Sequence, residues 1–536
     1  MAGTCVQHSL WELLSPLGHF LDMYTCASGT ASGDASALEQ LRHSPRLGPS
    51  SLDALTNGWP ERLLAGYAHL AFVSTGENDI LLGARILKQL ESIPWILTEV
   101  YGGTATGGST FRMLCECLSA RGISLQVRHY SCTDIDPLCR DFQAHHRSPP
   151  EHQFGNLCDR VNSEVVIHLC AIQENFRTQA DQVIAQRSEG KSQREVYSEI
   201  GDRFFEEACS FLDGVEVDPD VECWCFVHNR PCRVRPDVPP GAVWLEIGGN
   251  TCTPWTTSGK HLGYLDPASI PSLIWGYTVK SHRPVHVVNE CVRLWPALQF
   301  WQRILQDTFY RIVSDLHNPY QFGFPANRCR RLTHLRDGAH PAGRARFGAT
   351  SHNLLLAAGF DCNPALTADS YFQAPKRNLE KYRADLLTQR MFVLPPGIKS
   401  LSWELVIPSH FRARLKRWKK FLRLQGIDLA KSDHALVADI QHNPEWMGRA
   451  SQRHMPALMR QAHPWNLKRK RPMIPLEHLL VNAFPVWAEV PPVPLEYLES
   501  LANSDVRRLA GNMMHLGTLG SFISFVVLDS VVGDHA

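Results

Sequence analysis

The segment WILTEVYGGTATGGSTFRMLCECL, residues 95–118, joins an apolar β-rich run to an amphipathic run through a glycine-rich turn. Glycine lets a ligand approach the backbone closely, and the turn opens directly into the predicted helix. Three further β-rich runs, LQVRHYSC, AVWLEIG and PVHVVN, are separated by helical stretches. This alternation predicts an α/β fold with a doubly wound sheet that begins near Trp95.

Residues suited to a nucleoside follow the first two predicted strands. In a doubly wound sheet, ligands bind in the crevice at the carboxyl ends of the strands. The glycine-rich turn begins at Tyr101 after the first run, and Asp134 follows the second, where its carboxylate can accept hydrogen bonds from ribose hydroxyls. Ordinary turn and helix-cap residues have the same composition, so these two signals leave a nucleoside site and plain turn chemistry equally open.

Length and charge limit the function classes. A chain of 536 residues is too long for one compact core, so two or three domains are expected. The 54 Lys and Arg residues nearly balance the 53 Asp and Glu residues, so any nucleic-acid site must be a local patch. Sixteen irregularly spaced cysteines and an N-terminus without a secretory pattern predict reduced thiols in an intracellular protein. The apolar run 516–532 contains Asp529 and is short for a membrane span, so it predicts a buried C-terminal helix.

A cysteine-containing loop, GGNTCTPWTTSGKHLGYLD, follows the third β-rich run at residues 248–266. Alone, such a cysteine is more often a buried and inert thiol. The pattern C-x-x-W-T-x-x-G-x-x-x-G-x-x-D, however, resembles the catalytic loop of the C5-cytosine DNA methyltransferase family. Its six matched positions are Cys252, Trp255, Thr256, Gly259, Gly263 and Asp266.

The resemblance continues along the chain in the order of the family's motifs, over roughly residues 95–530. Glu290 in VHVVNECV stands at the family's Glu-Asn-Val motif, and Arg328 and Arg330 in FGFPANRCRRLTHL stand at its paired arginines. RPMIPLEHLLVNAFP, residues 471–485, resembles a late motif. Gly511 and Asn512 fall at the last motif, and the turn after Tyr101 resembles the glycine motif of the family's de novo branch.

The resemblance implies a Rossmann-like, S-adenosylmethionine-dependent methyltransferase sheet with a separate target-recognition region. It makes Cys252 the thiolate that adds to C6 of a cytosine flipped out of double-stranded DNA. Glu290 is then expected at N3 of the base, and Arg330 near O2 with Arg328 beside it, where they stabilise the negative charge that develops on the ring.

The same resemblance implies S-adenosyl-L-methionine as the cofactor. Tyr101 is expected to stack on its adenine and Asp134 to bind its ribose, with Asn156 and Asn512 completing the site. The full set of predicted cofactor residues is Tyr101, Gly103, Ala105, Gly107, Asp134, Ile135, Asn156 and Asn512.

Several positions depart from the family pattern. Asn250 and Thr251 replace the two prolines usual before the cysteine, which predicts a less rigid loop. Cys291 replaces the asparagine after the motif glutamate, Ala326 replaces a glutamine, and the usual acidic residue at Asn156 is neutral. Two alternatives therefore remain open beside a DNA methyltransferase. One is the same chemistry on transfer RNA, and the other is a catalytically inactive homologue that binds DNA.

The motif order predicts four segments. Residues 1–90 form a partly helical, partly loosely ordered extension, and residues 91–335 form the catalytic domain with an insertion at about 160–235. Residues 336–465 form the target-recognition region, and residues 466–536 return to the catalytic domain.

A basic helix is predicted within the recognition region, at FRARLKRWKKFLRL, residues 411–424. Its cations interleave with aromatic residues, a pattern that favours contact with DNA phosphates. A solvated helix face with aromatics toward the core is the alternative. The predicted DNA-binding residues are Arg412, Arg414, Lys416, Arg417, Lys419 and Lys420. The run KRKR at 468–471 is interpreted as a nuclear signal, a further DNA contact or a plain surface cluster.

A cysteine and histidine cluster lies within the insertion, in ECWCFVHNRPC. Its members Cys223, Cys225, His228 and Cys232 are weak candidates for zinc ligands. Their spacing, C-x-C-x-x-H-x-x-x-C, is not a standard zinc pattern, so a group of reduced, partly buried thiols is the favoured interpretation.

Overall fold

The computed structural model describes residues 48–62, 89–120, 122–186, 192–256, 259, 261–343, 362–391, 401–429, 436–447 and 453–532. The strands are β1 Pro94–Val100, β2 Gln126–Thr133, β3 His152–Phe154, β4 Glu222–Cys225, β5 Arg230–Arg233, β6 Val243–Gly249, β7 His286–Val292, β8 Tyr310–His317, β9 Arg330–Asp337, β10 Val437–Asp439, β11 Pro464–Asn466 and β12 Arg471–Pro472. The helices are α1 Leu52–Thr56, α2 Thr106–Ser119, α3 Pro137–Ala144, α4 Ser163–Ala185, α5 Gln193–Leu212, α6 Ile270–His282, α7 Ala297–Ile304, α8 Lys376–Gln389, α9 Trp403–Val406, α10 Ser409–Leu424, α11 Pro444–Met447, α12 Pro475–Val481, α13 Leu495–Ser500, α14 Asn503–Asn512 and α15 Leu516–Val532.

The first nine strands form one mixed sheet in the order β5-β4-β3-β2-β1-β6-β7-β9-β8. Strands β3, β2, β1, β6 and β7 run parallel, and β9 runs antiparallel to both β7 and β8. Residues of β1 and β6 are buried along nearly their whole length, as expected when helices cover both faces of a parallel sheet. The predicted α/β class and the doubly wound, Rossmann-like sheet are confirmed.

The strand order brings the predicted catalytic segments to one edge of the sheet. After β1 the chain turns toward β2, whereas β6 and β7 lie on the other side of β1, so the order reverses between β1 and β6. Ligands bind at such a reversal, beyond the carboxyl ends of the strands. Because β9 is antiparallel, its first residue, rather than its last, lies at this same edge.

The C-terminal segment packs back onto the beginning of the sheet. Helix α15 lies against α2, and its residues from Leu516 to Val527 are buried. The predicted buried C-terminal helix is confirmed. Among the helices of the described ranges, none has the length and apolar character needed to cross a bilayer.

The segments that interrupt or flank the core have their own elements. The insertion contributes α4, α5 and the hairpin β4–β5, and the recognition region contributes α8 to α10. Strands β10, β11 and β12 form a small antiparallel sheet. Most of the predicted N-terminal extension, residues 1–90, lies outside the described residues, although α1 is described.

Candidate active site

Three chain segments meet at the edge formed by β6, β7 and β9. Gly249, at the end of β6, pairs with Glu290 on β7, and Cys252 follows three residues after Gly249. Arg330, the first residue of β9, pairs with Val292 on β7. The register therefore brings together Cys252, Glu290 and Arg330, which are far apart in sequence.

Glu290 and Arg330 form an ion pair with a spare acceptor. Arg330 Nε lies 3.0 Å from Glu290 Oε1, and both side chains are largely shielded from solvent. The Nε–H does not point along this contact, and Oε1 has no hydrogen-bond partner among the residues that the structure describes. A buried carboxylate oxygen without a partner is unfavourable. Glu290 is therefore suited to accept an N–H from a ligand.

Arg328 is buried behind this pair. Its Nη2 donates to the carbonyl of Met513 at 2.7 Å, but within the described ranges Nε and Nη1 have no acceptor. Burial and, to a smaller extent, the neighbouring charge of Arg330 together lower the pKa of Arg328 to about 10. The guanidinium still carries its charge at neutral pH, within electrostatic range of Glu290 and Cys252.

A small cavity lies between these side chains and the C-terminal segment. Glu290, Arg328 and Arg330 line it together with Met514 and His515, and its volume is about 10 Å³. Such a volume has room for about one water molecule, and a pyrimidine ring is several times larger. This cavity is therefore not a preformed base pocket.

The Cys252 thiol is accessible. Of the cysteines that the structure describes, Cys252 and Cys170 are exposed, and the others are buried or partly buried. Cys252 precedes a 3₁₀ turn, Thr253–Trp255, and its carbonyl accepts the N–H of Trp255 at 3.0 Å. A reactive cysteine must be reached by its substrate, whereas an inert one is usually buried. The exposure of Cys252 thus favours a reactive thiol.

Asn250, one of the two residues that replace the family's prolines, is fixed by hydrogen bonds. It is buried, and its Oδ1 accepts Asn289 Nδ2 at 2.5 Å. Asn289 also donates to the carbonyl of Gly248 at 3.2 Å and accepts Trp301 Nε1 at 3.2 Å. The Cys291 thiol donates to the carbonyl of Asn250 at 3.6 Å. In this structure the network offsets the predicted loss of rigidity before Cys252.

The insertion supports the far end of the Cys252 loop. Gln173 on α4 donates through Nε2 to the carbonyls of Tyr264 and Asp266, at 2.7 and 3.0 Å. Phe205 on α5 stacks on Tyr264 with ring centroids 4.4 Å apart. Trp255 meets the same tyrosine edge-on at 4.9 Å. The sequence predicted an insertion here without a role in the Cys252 loop, but α4 and α5 anchor the loop.

The glycine-rich loop after β1 has an unusual backbone. Tyr101, Gly103 and Ala105 have φ values of +50°, +52° and +48°. Such left-handed conformations are costly for residues other than glycine and persist where surrounding contacts fix them, often at ligand sites. A Cβ at Gly103 would lie 3.0 Å from the carbonyl oxygen of Asn512. Both the conformation and this close approach favour glycine at position 103.

Tyr101 is engaged with α6 beneath the loop. Its hydroxyl shares a hydrogen bond with Ser272 Oγ at 3.1 Å, and its ring meets Trp275 edge-on at 6.2 Å. Its predicted stacking on adenine stays a prediction.

Asp134 joins the loops after β1 and β2. Its Oδ2 accepts the N–H of Gly103 at 2.8 Å, and its Oδ1 accepts the N–H of Asp136 at 2.8 Å. Burial raises the pKa of Asp134, and these two backbone hydrogen bonds oppose the rise. Each carboxylate oxygen keeps a second acceptor position that a ribose hydroxyl can use. The neighbouring Ile135 side chain is 68% exposed, which leaves an apolar surface beside the carboxylate.

The two asparagines predicted at the cofactor site already have protein partners. Asn156 Oδ1 accepts the N–H of Cys158 at 3.1 Å, and Asn512 Oδ1 accepts Arg460 Nε at 3.0 Å. Ala105 is buried, and the N–H of Gly107 is bound within the protein. These four residues shape the edge of the crevice, and their contact with a cofactor stays a prediction.

Glu99 is a site residue that sequence reasoning missed. Its buried carboxylate accepts the N–H groups of Gly107 and Gly108, at 2.9 and 2.8 Å, at the N-terminus of α2. His129 Nε2 lies 3.2 Å from the same carboxylate. An acidic residue near the end of an otherwise apolar strand was the signal available in the sequence.

Helix α10 divides its predicted DNA-binding residues between two environments. Its apolar face buries Phe411, Leu415, Trp418 and Leu422. Arg414 donates to the carbonyl of Gln441 at 2.6 Å, and Lys419 pairs with Glu404 at 2.5 Å. Arg412 is partly buried, whereas Lys416, Arg417 and Lys420 are exposed. The exposed subset, rather than the whole predicted set, is available for phosphate contacts.

The basic run at 468–471 is partly used inside the protein. Arg471 is buried and forms two hydrogen bonds with Glu477, and Arg469 pairs with Asp369 at 2.6 Å. The interpretation of the run 468–471 as a nuclear signal stays a prediction.

The weak metal candidates are brought together only in part. Cys225, His228 and Cys232 converge, but Cys223 lies outside the group, and its thiol donates to the carbonyl of Asp159 at 3.4 Å. Residues two apart on a strand are separated by nearly 7 Å, so Cys223 and Cys225 do not meet at one point. His152 on β3, which sequence reasoning did not consider, takes the fourth position.

Comparison with known proteins finds similarity in structure only. No protein-family model and no curated protein matches the chain. The Dnmt2 methyltransferase of S. pombe is 10% identical, with a TM-score of 0.35 over 80% of this chain and 97% of that one. The Entamoeba histolytica methyltransferase EhMeth is 10% identical, with a TM-score of 0.36 over 81% and 98%. A Spodoptera frugiperda DNMT2 variant is 11% identical, with a TM-score of 0.36 over 80% and 99%. At this identity the likenesses concern the fold and not the reaction.

Proposed function

We propose that this protein is an S-adenosylmethionine-dependent C5-cytosine methyltransferase that acts on double-stranded DNA. The observation that supports the proposal most strongly is the meeting of an exposed Cys252, the Glu290 carboxylate and Arg330 at one edge of the sheet. This edge adjoins the glycine-rich loop after β1, where ligands bind in folds of this class.

A nucleoside without phosphates fits the residues after β1 and β2. In dinucleotide-binding sheets, the N–H groups at the start of the first helix bind phosphate. Here the Glu99 carboxylate accepts those N–H groups from Gly107 and Gly108, and its negative charge opposes phosphate. Asp134 offers acceptors for ribose hydroxyls, and exposed Ile135 offers an apolar face for a base.

S-adenosylmethionine meets these requirements, because it combines an adenosine with a positive sulfonium and has no phosphate. The residues that would hold it are Asp134, Ile135, Asn156 and Asn512, around the loop that begins at Tyr101. When bound, it supplies the methyl group for C5 of the cytosine.

The residues around Cys252, at the edge formed by β6, β7 and β9, would activate the cytosine ring. The Cys252 thiolate would form a bond from sulfur to C6, and the electron pair of the C5–C6 double bond would move to C5, while Glu290, protonated in the substrate complex, gives its proton to N3. Arg330 holds Glu290 in place, and Arg328 adds positive charge where ring charge develops. Loss of the C5 proton to a base, return of the N3 proton to Glu290 and cleavage of the bond from C6 to sulfur then restore the aromatic ring and the thiolate. A base within a duplex cannot reach this edge, so the cytosine must be flipped out.

The exposed cations of α10 support a nucleic-acid substrate, which we propose is duplex DNA. Lys416 and Lys420 are four residues apart, so they lie on the same face of the helix, and Arg417 is adjacent. The buried aromatic residues of α10 fix this face relative to the recognition region. Charges spaced in this way suit contact with consecutive phosphates.

The decisive experiment combines methylation mapping with covalent trapping. Protein incubated with duplex DNA and S-adenosylmethionine should leave bisulfite-resistant cytosines, and DNA containing 5-fluorocytosine should form a covalent adduct. Cys252→Ala should abolish both, with a loss of at least about a thousandfold in rate. Cys170→Ala, which removes the other exposed thiol among the described residues, should leave both unchanged.

Three results would contradict parts of the proposal. If transfer RNA competes better than duplex DNA, the substrate is RNA, and only the choice of DNA is contradicted. Binding of the cofactor without any adduct on either substrate would favour an inactive homologue. An adduct that persists in Cys252→Ala would remove Cys252 as the nucleophile.

A further inference from the structure

Four metal-ligating side chains converge beside β3, on the opposite side of β1 from the Cys252 loop. They are His152 on β3, Cys225 at the end of β4, His228 in the following turn and Cys232 on β5, and their ligand atoms lie within 4.8 Å of one another. We propose that these four residues bind one zinc ion with a structural role.

The distances suit a tetrahedral ion. Cys225 Sγ lies 3.3 Å from His228 Nδ1 and 3.7 Å from His152 Nδ1, and Cys232 Sγ lies 3.6 Å from His228 Nδ1. Zinc bonds of about 2.3 Å to sulfur and about 2.0 Å to nitrogen place neighbouring tetrahedral ligands roughly 3.5 Å apart. An ion therefore fits with little movement of the side chains. Two thiolates and two imidazoles complete four-coordination, which is typical of structural rather than catalytic zinc.

A metal-free cluster of hydrogen-bonded thiols is the competing explanation, and the size of the local core argues against it. The buried cluster of the hairpin contains Phe154, Val234 and three cysteines. Strands β4 and β5 have four residues each, and β4 joins the main sheet through the single pair Phe154 and Cys225. Hairpins of this size are marginal without further support, and a metal is a common source of it.

The ligands come from both sides of that weak junction. His152 belongs to the parallel sheet, whereas the other three ligands belong to the hairpin β4–β5. An ion bound by all four would join the hairpin to the sheet. Ligands from the hairpin alone would not join it to the sheet.

The hairpin tip lies against the loops that we propose bind the nucleoside. The Phe226 ring lies over the guanidinium of Arg140 at 4.0 Å, and it is the nearest side chain to Gly155. Arg140 Nη1 donates to the carbonyls of Asp134 and Ile135, at 2.8 and 2.9 Å. The ion would therefore steady the loop after β2 through Phe226 and Arg140. This consequence rests on the proposed function, but metal binding itself does not.

Metal content tests the ligand set. The full chain, purified from cells grown with zinc, should contain about one zinc per chain by inductively coupled plasma mass spectrometry. His152→Ala and Cys225→Ser should each retain a small fraction of that amount. Cys223→Ser is the matched control, because Cys223 lies on the same strand but outside the group, and it should keep the metal.

A second measurement uses the unmodified protein, since ligand variants can misfold. A mercurial reagent should release zinc to a chromogenic indicator, and Co²⁺ in its place should give the visible absorption of a tetrahedral thiolate site. Folded protein that binds neither metal would overturn the proposal. Equal loss of zinc in Cys223→Ser and Cys225→Ser would overturn the ligand set.

Cofactor binding separates this inference from the proposed function. Removal of zinc should weaken binding of S-adenosylmethionine several-fold in a titration. Zinc without any cofactor binding would contradict the proposed function and leave the zinc site supported. Zinc removal with no change in cofactor affinity would overturn the link through Phe226.

Discussion

The two halves of the strand-end crevice are stabilised differently. Around β1 and β2, the carboxylates of Asp134 and Glu99 accept backbone N–H groups, from Gly103 and from Gly107. Around β6, β7 and β9, by contrast, Glu290 and Arg328 keep buried polar atoms without partners in the described part of the chain.

Unpaired buried polar atoms are rare because they cost free energy, and where they persist a missing partner is the usual reason. On the proposed function, the first half is preformed for its ligand, and the second half is completed by its substrate. Changes in the first half should affect cofactor affinity, and changes in the second should affect turnover.

Glu290→Gln should give the largest effect. A glutamine keeps the size of the side chain but can neither carry the charge that pairs with Arg330 nor donate a carboxyl proton to N3. We expect kcat to fall about 10²- to 10⁴-fold with little change in cofactor KM, measured by release of tritium from C5. Glu404→Gln, which removes a more exposed carboxylate paired with Lys419, is the control and should leave kcat unchanged. Equal rates for the two variants would remove Glu290 from the reaction.

Asp134→Ala should act on affinity instead. The substitution removes the acceptor of Gly103 N–H and the proposed acceptor of the ribose hydroxyls. Loss of hydrogen bonds to a charged group costs about 1.5–3 kcal/mol, so we expect KM for S-adenosylmethionine to rise roughly 10- to 100-fold at a similar kcat. Asp307→Ala, at an exposed carboxylate between α7 and β8, is the control. A fall in kcat without a rise in KM would contradict the division between the two halves.

Asn289→Ala tests the network that replaces the two prolines. It removes the hydrogen bonds to Asn250, Gly248 and Trp301, and we expect unfolding to require about 1–3 kcal/mol less free energy. Because the network fixes the loop before Cys252, kcat should fall as well. Asn378→Ala, which breaks a single buried side-chain bond to Glu499, should lower stability without lowering kcat. Denaturant titrations and turnover assays measure the two effects, and unchanged kcat in Asn289→Ala would show that the loop does not need the network.

His515→Gln should give the smallest effect, and only in acid. Burial and, to a smaller extent, the charge of Arg328 together lower the pKa of His515 to about 3, whereas the unfolded chain has a histidine pKa near 6.5. Below pH 6.5 the unfolded state therefore binds a proton that the folded state refuses until about pH 3, and stability falls as the pH decreases through this window. Above pH 6.5 the group contributes no such loss.

In His515→Gln, the unfolded state no longer binds this additional proton. Between pH 6 and pH 4, its unfolding free energy should fall less steeply than that of the unmodified protein, by at most about 1.4 kcal/mol per pH unit. His145→Gln, at an exposed histidine, should keep the original slope. Identical slopes for His515→Gln and the unmodified protein would contradict a neutral, buried His515.

Much of this architecture follows from local sequence. The β-rich runs at β1, β2, β6 and β7 were predicted from short apolar segments, because a parallel strand covered on both faces is apolar throughout. Cys252, Glu290 and Arg330 were predicted from motif spacing, and the sheet register brings them together.

Several contacts could not be predicted from the sequence, because they join residues that are distant along the chain. His152 precedes the hairpin cysteines by a whole insertion, so no spacing connects it with Cys225. The bond between Asn289 and Asn250 depends on the register of β6 with β7. The internal partners of Arg414 and Lys419 were likewise invisible, because a helical pattern shows which face is charged but not which charges are already paired.

The contact between Gly103 and the carbonyl of Asn512 has a consequence for biosynthesis. The two residues are separated by roughly 400 positions, a contact of very long range that can form only late in folding. A ribosome-bound chain from which the glycine-rich loop has already emerged still lacks the segment around Asn512, against which that loop packs. The nucleoside crevice is therefore completed only when translation has passed Asn512, and prematurely terminated products should not retain the cofactor.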